Sequence, residues 1–160
     1  MRGWRGVGIS AATLWLSAAL QQSMAHRLTI LGFQPDFMLV SLACLSMFYD
    51  RSGGSTIGFL TGALYGAVDF ANITHYIISR TVIGFFVGWS KDLNLQGTIL
   101  VAAVTTVLTT VFSQLILMFL APPPLITPFL GATIRTAVYN GVLAVPVYLL
   151  LKRIMGPSPR

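Results

Sequence analysis

Glutamate is absent from this chain, and its four acidic residues are all aspartates. The glutamates used by many proton-coupled carriers are therefore missing. The only lysines, Lys91 and Lys152, stand at the ends of apolar runs, so neither offers a base for Ser–Lys chemistry within a bilayer. The two histidines, His26 and His75, are far apart and have no Cys, Glu or Asp at ligand spacing, which argues against a metal site. The single cysteine, Cys44, excludes an internal disulfide and reads as a small apolar residue within an apolar run. No phosphate-cradling loop, nucleophile elbow or HExxH motif is present. Neither an enzyme nor a bound cofactor follows from such a composition.

Charge of either sign is scarce. Charged residues make up 9% of the 160, apolar residues 55%, and the mean hydropathy is +0.79. A soluble domain carries roughly a quarter charged residues, so a membrane domain is the better expectation. The net charge of +6 does not imply nucleic acid, because the basic residues lie between apolar runs and not on one solvated face. They fit the positive flanks of membrane spans.

The apolar runs predict six helices, near residues 7–24, 35–49, 55–71, 75–90, 97–121 and 130–151, in one domain over 1–154 with a short tail at 155–160. The first run, behind Arg2 and Arg5, resembles a signal peptide with Ser23-Met24-Ala25 as a cleavage site; retention as a first helix suits the apolar segments that follow. Pro35 and Asp36 suit the start of the second helix, which is short for a bilayer span. Asp50-Arg51-Ser52-Gly53-Gly54 reads as a tight connection, and Pro122-Pro123-Pro124 as a stiff extended loop to Pro128. With the N-terminus inside, Arg2, Arg5, Arg51, Lys91, Lys152, Arg153 and Arg160 fall on the cytoplasmic side and only Arg27 outside.

Within the third run, Gly58, Gly62 and Gly66 share one helical face with Asp69. Arg80, Gly84 and Gly88 share a face of the fourth, and the two glycine faces are expected to meet or to receive a partner's helix. Depth follows from the helical rise: Asp69 lies about 20 Å above the start of its helix and Arg80 and Arg135 about 8 Å below the outer ends of theirs. Gln114, Gln21 and Gln22 come out at similar heights. An intramembrane polar cluster of Asp69, Arg80, Arg135 and Gln114 is therefore expected, with Asp69 paired to Arg80 or to Arg135. Such residues serve either as packing contacts between helices or as a functional groove.

The order of these features resembles the bacterial rod shape-determining MreD family over nearly the whole chain. The resemblance rests on Gln22-Ser23, Gly32, Pro35-Asp36, the glycine helix ending in Asp69, Arg135-Thr136-Ala137-Val138-Tyr139-Asn140, and Pro146 ahead of Lys152-Arg153. It implies an all-α integral membrane protein of the bacterial inner membrane, with six spans in one compact bundle and both termini cytoplasmic. It also implies a non-enzymatic scaffold that binds MreC, a bitopic membrane protein, and so couples actin-like MreB filaments to the peptidoglycan polymerase and transpeptidase. The implied fold is similar to the substrate-binding subunits of energy-coupling-factor transporters, which makes a vitamin-type binding subunit the rival function. Trp15 and Leu16, four residues after Ala11 and Ala12, depart from the Ala-xxx-Ala docking face of those subunits.

Overall fold

In a computed structural model, residues 2–29, 33–67, 72–91 and 98–156 are described. They form six helices and no strand element: α1 (Arg2–Ser23), α2 (Phe37–Ser46), α3 (Arg51–Gly66), α4 (Ile73–Trp89), α5 (Ile99–Leu120) and α6 (Ile126–Met155). The described helices match the expected number and order; their ends differ for local reasons. Asp50 is not in a connection but caps α3, its Oδ1 accepting from the Gly53 N–H at 3.0 Å, so Gly53 and Gly54 lie in the first turns. Likewise α6 begins at Ile126 and takes in Pro128, whose missing N–H falls among the donors that a first turn leaves unpaired anyway. Thr98 caps α5.

Helix α2 has ten residues, about 15 Å at the helical rise. It touches each of the other five helices, which follow one another around it in the order α1, α3, α4, α5, α6. Its whole length from Met38 to Ser46 is buried, and Leu39, Leu42, Leu45 and Met47 form the centre of the apolar core with Ile57, Ile83, Ala144 and Tyr148. Phe48 stacks on Tyr148 at 5.7 Å between centroids, joining the far end of α2 to α6.

The tightest pairing is α3 with α4. A Cβ at Gly54 would overlap the carbonyl oxygen of Gly84, and one at Gly58 that of Arg80. At Gly62 it would stand 2.6 Å from the Ile77 Cα, at Gly66 2.6 Å from the Ile73 Cα, and at Gly88 2.5 Å from the Asp50 oxygen. Backbone therefore lies on backbone along the full length of the hairpin, which only absent side chains permit. The glycine faces are consumed by each other and are not free to receive another protein's helix.

The exterior carries the large apolar side chains. Trp4 is 89% exposed, Phe119 79% and Trp15 72%, and Val104, Leu108, Phe112, Ile134, Val138 and Val142 are also exposed. Ser79, Thr106, Thr110, Ser113 and Asn140 are buried instead. Two helices, α5 with mean hydropathy 2.0 and α6 with 1.5, are long and apolar enough to cross a membrane.

Substituting Gly58 by Ala should force α3 and α4 apart and lower stability by about 1–3 kcal/mol, the range for overpacked cores. Gly131→Ala, inside α6 where a Cβ meets nothing within 4 Å, should instead raise stability by about 0.5–1 kcal/mol. Thermal unfolding of the two variants beside the parent protein checks both values.

Candidate functional site: a buried ion pair at the start of the central helix

A helix that starts within a bundle leaves several N–H groups without water. The residues around Asp36 answer them one by one. The Asp36 N–H donates to Asn140 Oδ1 at 3.0 Å, and the Phe37 N–H to Gln21 Oε1 at 2.8 Å. Asp36 Oδ1 accepts from the Leu39 N–H at 2.8 Å, the N-cap bond of α2. Pro35, which has no N–H, precedes the cap, and its carbonyl accepts from Gln21 Nε2 at 3.3 Å.

The other carboxylate oxygen of Asp36 meets Arg80. The Arg80 Nη2 donates to Asp36 Oδ2 at 2.6 Å, with the arginine side chain 2% exposed and the aspartate 11%. The Tyr65 ring lies over the guanidinium, 4.7 Å from its carbon. Among the described residues Nε and Nη1 of Arg80 have no hydrogen-bond partner; the aromatic face and the negative carboxylate compensate the charge. The positive end of the α2 dipole favours the same carboxylate.

From Asp36 the network runs outward into α5. Asn140 Nδ2 donates to Thr110 Oγ1 at 3.1 Å, and Thr110 in turn bonds the Thr106 carbonyl at 2.9 Å. One helical turn beyond, Ser79 donates to the Ser113 carbonyl at 3.0 Å, tying α4 to α5. Gln21 on α1, Asp36 on α2, Tyr65 on α3, Arg80 on α4, Thr110 on α5 and Asn140 on α6 thus form one assembly to which every helix contributes.

The membership differs from the expected cluster. Arg80 belongs to it, but its partner is Asp36, which local sequence marks only as a helix start. Asp69 lies outside the described residues. Arg135 is exposed and does not join; its guanidinium lies 4.8 Å from the centre of the Phe33 ring. Gln114 is half-buried on α5 and makes no hydrogen bond among the described residues; it is the adjacent Ser113 that bonds α4. Gln21 takes the place expected of a glutamine in this layer, while Gln22 is exposed.

Of the motif residues, Asp36 and Asn140 meet directly, and the neighbouring Pro35 carbonyl is held by Gln21. Tyr139 sits beside them and its hydroxyl donates to the Leu28 carbonyl at 3.0 Å, pinning the connection after α1. Pro146 lies inside α6 on an exposed face, apart from the cluster. Gly32 lies outside the described residues. The signal that could have singled out Asp36 is the shortness of its helix, since a buried helix start needs polar side chains from elsewhere. Among the described residues no group of three His, Cys, Asp or Glu side chains gathers as a metal site would require.

No protein-family model, curated protein or solved structure matches the chain.

Removing one member of the ion pair should leave the other buried and uncompensated. Asp36→Ala or Arg80→Ala is expected to cost about 3–5 kcal/mol each, whereas the joint replacement Asp36→Leu with Arg80→Met should recover a large part of that loss. Exposed Arg135→Gln should cost less than about 0.5 kcal/mol. A double-mutant cycle on unfolding free energies reads all of these together.

Proposed function

We propose that the chain is a multi-pass membrane protein of the bacterial inner membrane, and within that class a non-enzymatic scaffold resembling the MreD family. In this reading it binds a single-span MreC-like partner and through it helps couple cytoskeletal filaments to peptidoglycan synthesis and rod shape. Both termini lie in the cytoplasm, and six helices cross or enter the bilayer around α2.

The observation that carries the scaffold reading is that most of the polar interior is committed to the start of α2. Asp36, Asn140, Gln21 and Thr110 bond one another and the α2 N–H groups, and Arg80 gives Asp36 one bond beneath the Tyr65 ring. The grooves between neighbouring helices, at α4–α5, α1–α6 and α5–α6, are lined almost wholly by apolar side chains. A vitamin-sized ligand needs several convergent polar groups within a concave site, and these grooves do not offer them. Apolar side chains outside and polar ones inside support the membrane setting, since lipid reverses the usual pattern of exposure. The bond between Asp36 and Asn140 supports the family likeness, because it joins two distant motif positions of this chain. The partner must use a face other than the glycine stripes, which are filled within the hairpin.

Purification in detergent from the cells of origin should bring down a protein with one membrane span and a large extracytoplasmic domain. Depletion of the chain should turn rods into rounded cells. Tight binding of a vitamin-sized molecule by the isolated chain, with no such companion, would overturn the proposal.

A further inference from the structure

Helices α1 and α6 are neighbours around α2 but scarcely touch. Between them a groove of about 400 Å³ reaches inward to α2. Ile9, Leu16, Leu20, Phe37, Leu150 and Ile154 line it. Two of its three hydroxyls bond within α1: Thr13 donates to the Ile9 carbonyl at 2.8 Å and Ser17 to the Leu14 carbonyl at 2.9 Å, while Ser41 lies at the inner wall. Most of the groove therefore asks its occupant for apolar contact and not for hydrogen bonds.

The mouth of the groove is different. Arg5 lies one turn before Ile9 on the same face of α1, and Arg153 lies one turn after Leu150 on α6. Both are exposed, and neither is paired with a carboxylate among the described residues. An apolar channel ending in two arginines complements a molecule with a long apolar chain and an anionic head. We infer that this groove holds an anionic phospholipid, its acyl chain against α1, α2 and α6 and its phosphate between Arg5 and Arg153.

A partner's helix fits the groove less well. Ala12, Thr13, Ser17 and Ser41 line the groove among larger aliphatic residues, so it is the two arginines at its end, which an apolar helix leaves unanswered, that favour a lipid. A flexible acyl chain follows such an uneven surface without needing a backbone-to-backbone contact. Anionic headgroups are attracted to paired cytoplasmic arginines, and each such charge contributes measurably near the surface.

The inference rests on the membrane reading of the proposed function, but not on the identity of any protein partner. Its test is native mass spectrometry of the full chain taken in detergent from vesicles of equal parts phosphatidylglycerol and phosphatidylcholine. One phosphatidylglycerol should remain bound in preference to phosphatidylcholine. The double variant Arg5→Gln with Arg153→Gln should lower that retention about tenfold, while Arg5→Lys with Arg153→Lys keeps it. Ala12→Phe, which fills the groove from an exposed position on α1, should reduce retention of either lipid. Equal retention of the two lipids, or indifference to the glutamine pair, would overturn the inference. So would cross-linking of a partner's helix to a cysteine placed at Leu16. A chain that stays in solution without detergent would instead sink the membrane reading itself, and a lipid retained without any single-span companion would count against the scaffold alone.

Discussion

The physical constraint beneath this structure is the length of α2. Ten residues make about 15 Å, and a helix so short, ringed by the other five, begins within the protein. Beginning there exposes its first N–H groups to an interior that has no water to offer them. Gln21 from α1, Asn140 from α6 and the side chain of the cap residue Asp36 itself take up that role. The carboxylate needed for the cap then brings a charge inside, and Arg80 is the consequence of that charge. The ion pair, the amide contacts and the threonine relay all descend from one recessed helix start.

Around this centre the six helices hold together by two unlike means. The α3–α4 hairpin depends on the absence of side chains, with backbones in direct contact through glycine. The pairings to α2 depend on bulky aliphatic residues that fill the core. Between α1 and α6, and again between α4 and α5, neither device operates fully, and apolar grooves remain. Those weaker seams are where a lipid or another helix can contribute area that the chain does not bury for itself.

The functional proposal follows from how the polar groups are employed. A transporter subunit would keep polar side chains available to a ligand; here they are committed to holding a helix start. A scaffold needs no open polar site, only a rigid body with surfaces fitted to lipid and to other membrane proteins. Two nitrogens of Arg80 find no hydrogen-bond partner among the described residues, and the Tyr65 ring covers the guanidinium beside them.

Much of the architecture was legible in the residues themselves. Apolar runs separated by Asp50, by Asn72 and by the proline cluster determined six helices, and glycine spacing determined which faces of α3 and α4 bear no side chains. Helical periodicity places residues on a face of their own helix; it says nothing of which distant segment lies opposite. For that reason Asp36 reads from sequence only as a cap and not as a companion of Arg80; Asp69, the expected companion, lies outside the described residues. The pairing of Asp36 with Arg80, and of its amide with Asn140 more than a hundred residues on, was decided by the tertiary structure alone. The physical reason is that burial of a helix terminus is a property of the assembled bundle, and the demand it makes for polar partners exists only once the other five helices have closed around it.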